Sequence, residues 1–364
     1  MSTKIGINGF GDIGKLVARF LLEYNANDIE ITRINTNSST IESHAKRFNT
    51  DTGYQFNLIP RTLLPYAKVE EGKLCIAHPN GRKFTIECSN TKLPEDIDWE
   101  DCDVIIDSSG KYRTKNTLEA HRNKNPNLSH IILTCPPKDT QIALFTFGVN
   151  SNNFNFESEK IISNGSCSGN CATPILKLIN DRFSIEEGAL SGIHCNTNSE
   201  YINDSYHPTE ENRGRASFMN TKSISTGLAI SLFGLLPELK EKIDPHVSNF
   251  RVSSSGSLVN FRLKVKHEIT KENLVKAVQS SNYFPTVISI NHEQMTSKDV
   301  IGNQSSSVIC IPQIHIWNNT ISMTAYYDNR MAYSRRTCEL VKKIHHHESS
   351  KHLNAMASKI MRNK

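Results

Sequence analysis

The chain of 364 residues is long enough for two domains, each with a sizeable core. Its net charge of +5, from 42 basic against 37 acidic side chains, suits small anionic ligands and does not require nucleic acid as a partner. Nine cysteines without metal-like pairing, a first strand at the very N-terminus and no apolar run near the ~18 residues of a membrane span lead us to expect a reduced, cytoplasmic protein with no metal and no membrane partner.

Lys4-Ile-Gly-Ile-Asn8 reads as a short buried strand, and Gly9-Phe10-Gly11-Asp12-Ile13-Gly14 follows it. Lys15-Leu-Val-Ala-Arg-Phe-Leu-Leu22 then has the apolar spacing of a helix. A GxGxxG run by itself is a Gly-rich turn that need only pack. Between a strand and a helix it is the dinucleotide fingerprint: tight turn, open approach for the pyrophosphate, close helix–strand packing. The second strand is expected at Ile29–Ile34, and the acid that holds an NAD ribose is replaced after it by Asn35-Thr36-Asn37-Ser38-Ser39. The site is therefore expected to accept NADP as well as NAD; the plainer reading is NAD bound with one contact fewer. Asp103–Asp107 before Ser108-Ser109-Gly110, and His130–Thr134 before Cys135-Pro136, fit further parallel strands with small or hydroxyl residues at their carboxyl ends. Alternating patches between Phe56 and Pro94 read as peripheral antiparallel strands.

Ser163-Asn-Gly-Ser-Cys-Ser-Gly-Asn-Cys171 sits between a strand ending near Ile162 and a helix containing Ala172–Ile179. Cys167 therefore falls at a helix N-terminus, where unpaired amides and the dipole favour a thiolate. His194, in Gly192-Ile-His194 on the next strand, supplies a proton acceptor, which makes the pair suited to attack on a carbonyl. Taken singly, a buried cysteine is more often a small hydrophobe and a strand histidine merely hydrogen-bonded; the nucleotide fingerprint and Tyr327-Asp-Asn329 change that weighting. Cys171, one turn on, reads as packing. From Gly188 onward long alternating stretches imply a mainly antiparallel sheet. Glu200 to Ser223 is aperiodic and reads as a long surface loop, His345-His346-His347 as a solvated tail rather than a metal site, and Arg335-Arg336 as solvated or packed on the nucleotide domain.

Over nearly its whole length the chain resembles glyceraldehyde-3-phosphate dehydrogenases. The resemblance rests on six ordered motifs: Asn8 to Gly14, Ser163 to Cys171, His194 at its spacing from Cys167, Ser225-Thr226-Gly227 with Pro237-Glu-Leu239, Phe250-Arg251-Val252, and Tyr327-Asp-Asn329 with Tyr333-Ser334. It implies an α/β fold, with a Rossmann-type nucleotide-binding domain over 1–166, a catalytic α+β domain over 167–329, and a C-terminal helix over 330–364 packing back on the first. It implies Cys167 as nucleophile and His194 as base. Asn8, Gly9, Phe10, Gly11, Asp12, Ile13, Gly14, Asn35, Thr36, Ser108, Gly110, Thr134, Asn329 and Tyr333 would bind the nucleotide. Ser166, Ser168, Thr197, Ser199, Arg213, Thr226, Gly227 and Arg251 would hold substrate and inorganic phosphate, in a homotetramer. The expected reaction is phosphorylating oxidation of glyceraldehyde 3-phosphate. Erythrose 4-phosphate oxidation, faintly signalled by Tyr206-His207-Pro208, and a weakly catalytic paralogue kept for binding are the alternatives. The departures are Asp12 where the family has Arg, Arg330 where it has Glu, Ser199 for Thr, and Glu200 for Gln. The first two read as a charge swap, the last as an acid near the phosphate sites.

Overall fold

The computed structural model describes residues 2–23, 28–36, 40–50, 65–197, 199–223, 226–249 and 255–362. Arg251, assigned above to phosphate, lies outside them, as do Asn37, Ser38 and Ser39. The chain divides into two compact units, 1–143 with 155–164 and 334–364, and 144–154 with 165–333. The segment 144–154, which sequence places in the first domain, thus belongs to the second unit.

In the first unit, the apolar run at the N-terminus forms β1 (Thr3–Asn8), and the glycines turn it into α1 (Asp12–Glu23). There follow β2 (Ile29–Asn35), α2 (Ile41–Asn49), β3 (Tyr66–Glu70), β4 (Lys73–Ala77) and β5 (Lys83–Ser89). Then come β6 (Val104–Asp107), α3 (Lys115–Glu119), β7 (His130–Leu133), β8 (Ala143–Leu144) and β9 (Ile161–Ser163). The sheet order is β3-β4-β5-β2-β1-β6-β7-β9-β8. β1 pairs in parallel with both β2 and β6, so the chain reverses its direction of winding beside β1. The register places Asn8 against Asn35 on one side and Asp107 on the other. Ligands of open α/β sheets bind at such a switch point, outside the carboxyl ends of the strands. β3, β4 and β5 form an antiparallel meander, and β5 joins β2 in parallel.

The second unit begins with α4 (Cys167–Phe183), whose inner face buries Cys171, Ala172, Ile175, Leu176 and Ile179. It continues with β10 (Ile185–His194), α5 (Glu211–Gly214), β11 (Lys222–Ser223), α6 (Leu228–Leu235), β12 (Ile243–Asn249) and β13 (Ser257–Val265). α7 (Lys271–Gln279), β14 (Ile288–Asn291), β15 (Ser307–Cys310), β16 (His315–Trp317) and β17 (Thr320–Tyr327) complete it. Its eight-stranded sheet, β11-β12-β10-β13-β17-β15-β14 with β16 on β17, is mostly antiparallel; β10–β12 and β14–β15 are the parallel pairs. β13 alternates strictly, burying Val259, Phe261, Leu263 and Val265 under α4.

The last helix is α8 (Met331–Arg362). Within the first unit it buries Cys338, Leu340, Val341 and Ile344, and the Cys338 thiol reaches the Val17 carbonyl at 3.5 Å. Of its three consecutive histidines His346 is exposed, but its neighbours are not. His345 is buried and bonded to the Thr3 hydroxyl at 2.7 Å, and His347 lies 3.3 Å from Glu157. Arg336 is also buried, paired with Glu339 at 2.9 Å. An apolar ridge on a helix carries its polar neighbours into cover, which local hydrophilicity does not reveal. Among the described residues no helix is long and apolar enough to cross a membrane, and no group of three or more His, Cys, Asp or Glu is placed to hold a metal.

Candidate active site and nucleotide cradle

The candidate catalytic pair is built from the start of one helix and the end of one strand. Gly165, with φ +65°, turns the chain after β9 in a conformation that side chains rarely adopt. Ser166 is the N-cap of α4 and accepts the Gly169 N–H on its hydroxyl at 2.9 Å, so Cys167 occupies the first helical position. Ser231 of α6 secures this corner: its hydroxyl accepts the Ser166 N–H at 3.0 Å and lies 3.1 Å from the Ser166 hydroxyl. Ser231 fits because position 169 is glycine; a Cβ there would sit 2.6 Å from its hydroxyl. Tyr333 closes the corner from the other side, donating to the Gly165 carbonyl at 3.0 Å.

His194 ends β10, fixed between β12 and β13. Its Nε2 lies 3.2 Å from the Cys167 sulfur. Its Nδ1 is 2.6 Å from the Cys195 carbonyl. A carbonyl only accepts, so Nδ1 carries a proton and Nε2 is the atom free to exchange one with sulfur. Burial opposes charge on this ring. The Cys167 sulfur, by its charge and its hydrogen bond, outweighs that and holds the imidazole well above its usual pKa. Cys171 behaves otherwise: burial pushes its thiol well above the ordinary value. All nine cysteines are free thiols. Beside the pair, the Asn329 side-chain oxygen accepts the Cys195 thiol at 3.1 Å and the Ser255 hydroxyl at 3.4 Å.

The other polar residues of the second unit fall into two clusters. Ser166, Ser168 and Ser231 gather at the head of α4, their hydroxyls linked at 3.1–3.3 Å. Gly227 caps α6, next to Thr226, whose hydroxyl accepts the Leu228 N–H at 3.2 Å. Thr197, Ser199 and Arg213 converge instead on the carboxylate of Glu200. The aperiodic stretch around Arg213 is tied down internally: Tyr201 N–H bonds to Arg213, Ser205 N–H to Gly214, and Arg215 pairs with Asp204 at 3.1 Å. His207 accepts the Glu210 N–H at 3.1 Å and so serves the turn before α5.

In the first unit, Gly9 has φ +92°, and a Cβ there would lie 2.7 Å from the Ser109 nitrogen. A Cβ on Gly14 would overlap the Gly9 carbonyl, whereas a Cβ on Gly11 would meet no described atom within 4 Å outside its own stretch of chain. Bare backbone facing open space at a helix N-terminus is what an approaching pyrophosphate needs, and the cradle fits a dinucleotide. Phe10 is buried, stacked parallel on Phe48 at 6.1 Å, and Ile13 lies in the first turn of α1. Asp12 lies 3.8 Å from Lys15 one turn on. Ser108 donates to the Gly9 carbonyl at 2.5 Å, Gly110 turns at φ +71°, and Thr134 donates to the Asp107 carbonyl at 3.1 Å.

Asn35 faces inward. Its amide donates to Asn8 at 2.9 Å and to the Thr91 carbonyl at 3.0 Å, and its oxygen accepts from Ser89 at 2.7 Å. Thr36 is buried, with its N–H on the Ser89 carbonyl at 3.0 Å. Asp107 is a hub that sequence reasoning missed: it accepts from Asn8 at 2.7 Å and Ser109 at 2.7 Å and meets His121 at 3.2 Å. Ser231 was missed too. Its only local signal is to be a serine in the otherwise apolar Leu228-Ala-Ile-Ser-Leu-Phe-Gly-Leu235.

Residues 3–115 match the family described as glyceraldehyde 3-phosphate dehydrogenase, NAD binding domain, and residues 166–329 match its C-terminal domain. Glyceraldehyde-3-phosphate dehydrogenase 1 of Schizosaccharomyces pombe is 31% identical over 345 residues, spanning 93% of this chain and 96% of its own. Glyceraldehyde-3-phosphate dehydrogenase of Mastigamoeba balamuthi is 30% identical, with 94% and 98% covered. The cytosolic glyceraldehyde-3-phosphate dehydrogenase of Sinapis alba is 29% identical, with 93% and 96% covered. With the nucleotide cradle in one unit and the Cys167–His194 pair in the other, the chain belongs to the glyceraldehyde-3-phosphate dehydrogenase family and is an NAD-binding oxidoreductase of divergent sequence.

Proposed function

We propose that the protein is a phosphorylating aldehyde dehydrogenase that oxidises glyceraldehyde 3-phosphate to 1,3-bisphosphoglycerate in the cytosol. The observation that carries this reading is the 3.2 Å approach of Cys167 sulfur and His194 Nε2, with Nδ1 committed to a backbone carbonyl. The thiolate adds to the aldehyde carbon, forming a C–S bond, and the oxygen takes the proton on His194 Nε2 to become the hydroxyl of a hemithioacetal. His194 Nε2 takes that hydroxyl proton as the carbonyl re-forms and the thioester is made. Bound NAD supplies the acceptor for the hydride that leaves the same carbon. Inorganic phosphate then attacks the thioester; the C–S bond breaks, and the acyl phosphate departs as the thiolate is regenerated.

The roles of the surrounding groups follow from their chemistry. The Cys167 N–H, at the head of α4, serves the developing oxyanion. Ser166 and Ser168 with Thr226 and Gly227 form the subsite for attacking phosphate, because Ser166 adjoins the nucleophile in sequence. Arg251 holds the substrate phosphate as a planar fork. With the Asn329 oxygen committed to Cys195 and Ser255, its amide nitrogen is the edge that meets the nicotinamide carboxamide. The nucleotide rests on the glycine turn and, since Thr36 carries no carboxylate, NADP is admitted beside NAD.

Reduced nucleotide should form with glyceraldehyde 3-phosphate from either NAD or NADP. Sustained turnover should need inorganic phosphate, and erythrose 4-phosphate should be the poorer substrate. Turnover indifferent to phosphate, or higher kcat/KM with erythrose 4-phosphate, contradicts the reading.

A further inference from the structure

Thr197 follows His194 by three residues, so the two α-carbons lie within about 11 Å even along a fully extended chain. Around Thr197 and Glu200 one backbone N–H, two hydroxyls and a guanidinium converge. They are the kind of donors that grip a phosphate dianion. Here they end on one carboxylate of the chain itself. Glu200 Oε2 accepts the Thr197 N–H at 2.7 Å and the Thr197 hydroxyl at 2.7 Å. Oε1 accepts the Ser199 hydroxyl at 2.8 Å and the Arg213 guanidinium. The Glu200 side chain is 1% exposed. Arg213 is held in place by Glu210, Nε to Oε2, at 2.6 Å. Both oxygens of a buried carboxylate are thus used, and the donors they use are those an external anion would need.

We propose that Glu200 is a specificity-determining residue: its carboxylate fills the anion subsite of Thr197, Ser199 and Arg213 from within, so that this cluster adds nothing to the grip of Arg251 on a substrate phosphate and the preference for phosphorylated over hydroxyl-ended aldehydes is reduced. The inference rests on the reading of the protein as an aldehyde dehydrogenase. A phosphate reaching this cluster meets a like charge and must displace it, whereas a hydroxyl tail asks for no displacement. Substituting glutamine keeps one acceptor oxygen and turns an NH2 group toward donors that it cannot satisfy, which loosens the internal plug. Alanine removes the plug altogether.

The test compares kcat/KM for glyceraldehyde 3-phosphate and for glyceraldehyde in the wild type, E200Q and E200A. It also measures the rise in melting temperature that inorganic phosphate produces in each. E200Q should raise the ratio of the first kcat/KM to the second by about tenfold or more through KM for the phosphorylated aldehyde. Its constants for glyceraldehyde should stay near wild type. E200Q should also gain a larger phosphate-induced melting shift than wild type, a readout that needs no turnover and remains decisive if E200A fails to fold. An E200Q enzyme with an unchanged or lower ratio and no added phosphate stabilisation overturns the proposal and leaves Glu200 as a loop brace. If no aldehyde is oxidised by any form, the dehydrogenase reading fails on its own, and the melting shifts still decide whether Glu200 excludes phosphate.

Discussion

At the scale of single residues, the chemistry depends on one sulfur and one ring nitrogen coupled through space. Burial opposes charge on the His194 imidazole, and the Cys167 sulfur beside it outweighs that and holds the ring above its usual pKa. His194→Asn should lower kcat by ~10²–10⁴. The Kd for NAD, followed by fluorescence titration, should stay within about twofold, because His194 lies outside the glycine cradle. Unchanged kcat in the variant would place the base elsewhere. Cys167 and His194 are legible in the sequence because each announces itself locally, one in a strand–turn–helix, the other at the end of an alternating strand. Ser231, Asp107 and the buried state of Glu200 are not legible in this way. Each has at least one partner between 13 and 99 residues away: Arg213 for Glu200, Ser166 for Ser231 and Asn8 for Asp107.

At the scale of elements, β7 starts on a histidine that the fold keeps neutral. His130 is fully buried and its Nε2 donates to the Phe156 carbonyl at 2.9 Å. Burial pushes its pKa down to about 4. The unfolded chain, with an ordinary value of about 6.5, binds this proton first as pH falls. Stability is therefore fully present above about pH 6.5 and is lost as pH drops toward 4, by about 2 kcal/mol at pH 5 and about 3 in full. Urea midpoints at pH 7 and pH 5 check this: His130→Asn should flatten the difference, and an equal loss in wild type and variant would place the acid sensitivity elsewhere. The parallel strands of the first unit follow from their apolar runs, and the catalytic sheet follows from its alternation. The inward turn of α8 does not. His345 bonds to Thr3 of β1 and Arg335 lies over the Phe20 ring of α1, and a polar run seen alone carries no trace of those contacts.

At the scale of the whole molecule, the loop before α6 presents Tyr206, Phe218 and Met219 at 83%, 64% and 77% exposure, although its backbone is ordered by its own bonds. Large apolar side chains grouped on a polar loop fit a surface covered by other copies of the chain. Light scattering at micromolar concentration should give four times the chain mass; a monomer would contradict the tetramer. The central claim concerns covalent chemistry on Cys167, and one experiment tests it most directly. Enzyme mixed with glyceraldehyde 3-phosphate and NAD, without inorganic phosphate, is quenched in acid and its peptides are mapped by mass spectrometry. The account predicts about one equivalent of reduced nucleotide per chain, an acyl group on the peptide carrying Cys167, and release of that group when phosphate is added. Reduced nucleotide formed in full without any adduct at Cys167, or undiminished turnover in Cys167→Ala, would contradict it.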